Sequence, residues 1–281
     1  MTSRLPGACV RAFCVVGLVL APSLLLPSDE PQATEGMVFL SLFAALFVIA
    51  EYGAASPSLV EFRSAPPYNR VRFAILFATL LMIAIVCRAH LEPTALSRLV
   101  AALAAILGRW MDVAGGPIRT ILWLLPEGTT PQQTALVRSV AALALLVGAI
   151  GVAAFVVVAR MQSWPAAGGP FNIWINLPTF DPSLGADMVR RLHRDGVVNI
   201  LLGFLLPYLT PPLAWFVGGS FGLSLPESDL LLVWTIALWA FLPVSMFLRG
   251  LALRRLALSI STRQKRLLAE ESGGDPAFLP A

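Results

Sequence analysis

Long apolar runs alternate with short arginine-bearing connections along this chain, and one run sets the scale for the rest. Ser139 to Ala159 contains no charge and no proline. At about 1.5 Å per residue it reaches roughly 30 Å, the thickness of a bilayer's hydrocarbon core. Arg138 and Arg160 bracket it, where long side chains reach the headgroups. A buried helix in a soluble protein is usually shorter and keeps a polar face. The run therefore predicts a membrane span, and the other runs are placed from it.

Ala12 to Leu26 follows Arg4 and Arg11 and leads into Ser28-Asp29-Glu30. Basic start, short apolar core and polar exit resemble a secretory signal peptide. No small-x-small cleavage site follows, however, and Pro22 interrupts the run, so an uncleaved first span is expected. Met37 to Ala50 is the second run, with Glu51-Tyr52 near its end and a possible extension to Pro57; Phe73 to Cys87 is the third, closed by Arg88. Gly196 to Gly219 and Leu230 to Leu248 complete the set. The expected architecture is all-α: a polytopic integral membrane protein with about six transmembrane helices, plus interfacial amphipathic helices. The spans are expected at about 12–27, 37–57, 71–88, 138–160, 196–219 and 229–249, with a basic helix end and flexible tail at 261–281.

Residues 89–137 do not fit a span. Leu99 to Leu107 and Ile118 to Leu125 are short, and Arg98, Arg109 and Asp112 lie among them. A charge near the bilayer centre costs about 2.5–3.5 kcal/mol. Two helices lying on the membrane or dipping into it are expected, broken at Gly115-Gly116-Pro117. Between spans four and five, residues 161–180 are rich in Pro and Gly and carry Trp164, Phe171 and Trp174, which suit a headgroup region. Asp181-Pro182 then reads as an N-cap and first helical residue. Leu184, Met188 and Leu192 form one stripe of the helix that follows, with Arg190, Arg191, His193 and Arg194 largely elsewhere around it.

Composition agrees with this layout. Of 281 residues, 57% are hydrophobic and 13% charged, and mean hydropathy is +0.79, values of polytopic membrane proteins rather than globular domains. The net charge of +4 comes from basic residues scattered between apolar runs, which argues against a nucleic-acid partner. With both termini on one side, fifteen basic residues fall on that side and five on the other. The positive-inside rule makes the richer side cytoplasmic. Lys265 is the only lysine against nineteen arginines, a bias of high-GC bacterial genomes, so a bacterial inner membrane is expected.

The candidate chemistry is sparse. Cys9, Cys14 and Cys87 lack metal or redox spacing, His90 and His193 fall on opposite sides of the membrane, and no metal or cofactor motif is present. Glu51, beside Tyr52, is the nearest thing to an intramembrane carboxylate, although it also fits an interfacial position. Asn199, Pro207, Tyr208, Thr210, Pro211 and Pro212 predict a kinked or broken fifth span. Such a span either lines a transport site or is a bend satisfied by neighbouring helices. Gly218 to Gly222 matches the G-x-S-x-G nucleophile pattern at Ser220, with His90 on the same side; that motif requires a strand before the serine, and here a membrane helix precedes it. Ala141, Ala144, Gly148 and Gly151 form a small-residue face suited to close helix packing, within the chain or with another protein. Arg190, Arg191, Arg194, Arg254 and Arg255 suit contact with anionic lipid at the cytoplasmic face or with a partner, and suffice as topology signals alone.

Three functions follow in order of support. The first is a non-catalytic inner-membrane protein acting through helix and surface contacts, an assembly factor or accessory subunit. The second is a small-solute permease built on Glu51 and the proline-rich fifth span. The third is a membrane hydrolase using Ser220.

Overall fold

The structure is a computed structural model describing residues 5–26, 31–55, 59–165, 171–178, 180, 187–220 and 228–271. Every regular element among them is a helix: α1 (Leu5–Leu25), α2 (Pro31–Gly53), α3 (Tyr68–Leu91), α4 (Ala95–Met111), α5 (Pro117–Trp123), α6 (Pro131–Met161), α7 (Ile173–Asn176), α8 (Met188–Ser220) and α9 (Asp229–Glu271). Six of these, α1, α2, α3, α6, α8 and α9, are long and apolar enough to cross a membrane. The protein is thus an all-α polytopic membrane protein. Asp181-Pro182, Leu184 and the tail beyond Glu271 lie outside the described residues.

Each expected span corresponds to a helix longer than its apolar run, most markedly α6, α8 and α9. α6 begins at Pro131 because Thr130 caps it: the Thr130 Oγ1 accepts from Gln133 N at 3.2 Å, and the Gln133 side chain accepts from Thr130 N at 3.0 Å. Proline at the first position needs no donor there. α8 joins the basic segment from Met188 and the fifth apolar run into one 33-residue helix. α9, at 43 residues, reaches about 64 Å and so extends well past any bilayer.

Helices α3, α6 and α9 pack mutually at the centre. Lipid tails are as apolar as leucine, so association here depends on close approach of backbones. The small-residue face of α6 provides it. Ala141 and Ala144 are fully buried; a Cβ on Gly148 would lie 2.5 Å from Val244 Cγ2 of α9, and one on Gly151 would overlap Ile75 of α3. This face is used within the chain. α8 packs on α9 by the same means. A Cβ at Gly250 would meet Gly196 O at 2.6 Å, and one at Gly203 would meet the Phe247 ring at 3.0 Å. α1 joins α3, and α2 packs against α1 at the rim.

Gly151, late in α6, lies on Ile75, early in α3, so these helices are antiparallel. The end of α3 and the start of α6 therefore share one end of the bundle. α4 is tied to that end twice: it starts just after α3, and Gly108 near its other terminus rests on the backbone of Arg138 and Ser139. It packs there against both α6 and α3. α4 and α5 are separated at Asp112–Gly116, the expected break, where Gly115 takes a φ of +74°. Asp112 closes the break electrostatically: its Oδ1 accepts from Arg119 Nε at 2.6 Å, and its Oδ2 lies 3.1 Å from Arg138 Nε. The carboxylate that disfavoured a span over this segment is a staple between α4, α5 and α6.

Gly250→Ala places a methyl against backbone that cannot retreat and is expected to cost about 1–3 kcal/mol. Gly36→Ala, where nothing lies within 4 Å of the new Cβ, is expected to be neutral or slightly stabilising. Thermal unfolding of both variants in the same detergent, followed by tryptophan fluorescence, measures the difference.

Candidate functional site

The polar side chains converge at the end of the bundle opposite α4, around the connection from α2 to α3. The last carbonyls of a helix have no intrahelical donor. At the end of α2 donors come from Arg63: its Nη1 donates to Glu51 O in the last turn and, at 3.0 Å, to Ala54 O just past the helix, while Nη2 donates to Ala55 O at 3.3 Å. Glu51 returns the contact. Its Oε2 accepts from the backbone N–H of Leu59 and of Val60, both at 3.2 Å, and the residue is 7% exposed. Glu51 thus holds a loop. Tyr52 beside it lies under Arg11 of α1, with 4.7 Å from guanidinium to ring centroid.

The centre of the cluster is Glu61. Arg249 of α9 grips it through two parallel bonds, Nε to Oε2 at 2.7 Å and Nη2 to Oε1 at 2.8 Å. Planar bidentate pairs of this kind are the strongest charge-assisted contacts available to side chains. Arg249 Nη1 also donates to Asn199 Oδ1 of α8 at 3.2 Å, and Asn199 Nδ2 donates to Asp195 O at 2.7 Å. One guanidinium therefore joins a loop, α8 and α9. Asn176, at the end of α7, takes the next two loop amides: its O accepts from Phe62 N at 2.7 Å and its Oδ1 from Ser64 N at 2.9 Å.

Phe62 is forced into a φ of +53° by this anchoring. Such backbone persists only where the surroundings over-determine it, and here they do. The ring is 1% exposed, 4.4 Å from Tyr68 and 5.8 Å from Trp164, with Phe155 completing the group. Arg72 lies over the rings of Tyr68 and Phe241 at 5.6 and 5.8 Å. Leu192 of α8 and Leu253 and Leu256 of α9 continue this core away from the spans.

The proline-rich fifth span is not broken. α8 runs continuously through Pro207, Pro211 and Pro212. Pro211 has no N–H to give the carbonyl of Pro207, four residues earlier, which in hydrocarbon would be left without a donor. Trp239 of α9 supplies one, its Nε1 donating to Pro207 O at 3.1 Å. The helix is thus continuous rather than broken, with one freed carbonyl paired to a neighbouring helix. Thr210 donates to Leu206 O at 2.7 Å, and Tyr208 is 42% exposed.

The remaining candidates are dispersed. Arg190 pairs with Asp187 at 2.8 Å and Arg194 with Asp195 at 3.2 Å. Arg191 lies over Phe180, Arg255 Nε donates to Trp164 O at 2.8 Å, and Arg254 is exposed. Ser220 ends α8 with its side chain outside the described residues, and His90 is exposed near the end of α3. No described contact joins them. Sequence reasoning missed Glu61, Arg63, Arg249, Asn176 and Trp239 as partners. Glu61 and Arg249 lie 188 residues apart, and no local pattern marks such a pair. No protein-family model, curated protein or solved structure matches the chain.

Two substitutions test this network. Glu61→Gln is expected to lower stability by about 1–3 kcal/mol, with Glu61→Gln/Arg249→Met costing less than the sum of the single changes. Trp239→Phe is expected to cost about 1 kcal/mol by stranding the Pro207 carbonyl. Adding Pro211→Ala, which restores a helix donor, recovers much of that loss. Thermal unfolding of the single and double variants measures both couplings.

Proposed function

We propose that this chain is a non-catalytic, multi-pass protein of a bacterial inner membrane that works through helix and surface contacts, as an assembly factor or accessory subunit of a membrane complex. The observation that carries this reading is how the polar residues are used. Glu51, Asn199, Glu61 and Arg249 are each engaged with backbone or with one another. The groups that would bind a solute in a permease are committed to joining α2, α8 and α9. The small-residue face of α6 is likewise occupied by α3 and α9, which moves the contact surface elsewhere.

α8 is the element that fits. It meets α9 along Gly196, Asn199, Gly203 and Pro207, and Leu201, Leu205 and Leu209 on the other side are more than half exposed. The distribution of arginines supports an arrangement in which the Glu61 end and both termini are cytoplasmic. Arg254 and the exposed Arg263, Lys265 and Arg266 of α9 are then available to anionic headgroups or an acidic partner surface.

A photo-crosslinking residue at Leu201, Leu205 or Leu209 in cells is expected to capture one protein of defined mass, identifiable after purification. Labelling at the same positions that recovers lipid or a second copy of this chain alone would refute the contact role.

A further inference from the structure

The helix α4 has three distinct faces. Ser97, Ala104 and Gly108 of α4 are buried against α6 and α3. Leu96, Leu99, Leu103, Ile106 and Trp110 fall at i, i+3, i+7, i+10 and i+14 and are exposed by 47–81%. Arg98 and Arg109 share the third face and are exposed as well. At about 100° per residue the three faces are separated by roughly 110–140° from one another. A helix packed on a soluble domain would turn its second face to water, where a row of four aliphatic side chains and a tryptophan is strongly unfavourable.

The level of α4 accounts for that row. α6 starts about two turns before Ser139 and rises beyond the apolar stretch, so α4 has a wall to lie against at the edge of the hydrocarbon. Three exposed tryptophans belong to this same end of the bundle. Trp110 of α4, Trp123 of α5 and Trp215 near the end of α8 are 81%, 73% and 62% exposed. α8 runs antiparallel to α9, as the Gly196–Gly250 and Pro207–Trp239 contacts require. The start of α9, with Val233 and Ala237, is buried with Ala104 and Ile118, which puts Trp215 at the α4 end. Exposed tryptophans at one end of a bundle are the signature of a membrane–water interface. Arg98 and Arg109 complement lipid phosphates, and their stems are long enough to reach them from a helix set slightly deeper.

We propose that α4 is an in-plane membrane anchor, its Leu96–Leu99–Leu103–Ile106–Trp110 stripe seated among the acyl chains of the adjoining leaflet and Arg98 and Arg109 at the phosphates. The partner of this surface is the lipid itself. The assignment holds whichever way the chain is oriented and whether or not α8 binds another protein.

The test uses the full chain with Cys9, Cys14 and Cys87 changed to alanine, reconstituted in vesicles of phosphatidylethanolamine and phosphatidylglycerol. Single nitroxides are introduced at Leu99→Cys, Leu103→Cys and Ile106→Cys, and for comparison at Arg98→Cys, Ala102→Cys and Ala105→Cys. All six side chains are exposed, so the labels leave the packing intact. The stripe positions are expected to collide preferentially with oxygen, at depths about 5–10 Å below the phosphates. The other three are expected to favour a water-soluble nickel chelate, giving an oscillation of helical period along α4. Nickel access at 99, 103 and 106 would overturn the proposal by placing the stripe in water. Protection of those positions from both reagents would overturn it by placing protein over the stripe.

Discussion

The fold depends on how closely α6 can approach its neighbours. Inside a bilayer the hydrophobic effect does little to bring helices together, because lipid and leucine are equivalent surroundings. What remains is dispersion between backbones that come near enough, and that distance is set by side-chain size. Gly148 admits Val244 and Gly151 admits Ile75 with no room for a methyl group on either glycine. From that contact the antiparallel sense of α3 and α6 follows, and with it the end of the bundle at which α4 must lie. α8 reaches the assembly through a second glycine contact, Gly196 on Gly250, and α2 through α1 and through the loop that Glu51 and Arg63 hold.

Polar groups perform a different task, and they perform it at the ends. A span's terminal carbonyls and connecting loops need partners, and each end of the bundle meets that need with arginine and carboxylate. At one end Asp112 joins Arg119 and Arg138. At the other, Glu61, Arg249 and Asn199 close over the connection between α2 and α3 while Glu51 and Arg63 bind each other's backbone surroundings. Through directional bonds these arginines hold the helix ends to one another. The tryptophan of α9 bonded to the Pro207 carbonyl extends the same economy into the apolar interior.

A membrane helix can be read from one sequence because the bilayer imposes a local condition: about twenty residues without charge satisfy it wherever they occur. The six spans, the break at Gly115–Pro117 and the small-residue face of α6 were legible on that basis. The helix starts were also written locally, in Thr130-Pro131 with Gln133 and in Thr94 with Ser97, although hydrophobicity alone places the start of α6 too late. Pairings were not legible. Glu61 reads as an ordinary loop residue, Arg249 as the basic flank of the last span and Trp239 as one more apolar position, since their partners lie in other elements. Three prolines read as a break for the same reason: the donor that keeps α8 continuous belongs to α9. Sequence determined which segments enter lipid, because that is a property of each segment alone. Tertiary structure decided which helices touch, and how Glu51, Asn199 and Asp112 are used, because hydrogen bonds and glycine contacts require two surfaces brought together.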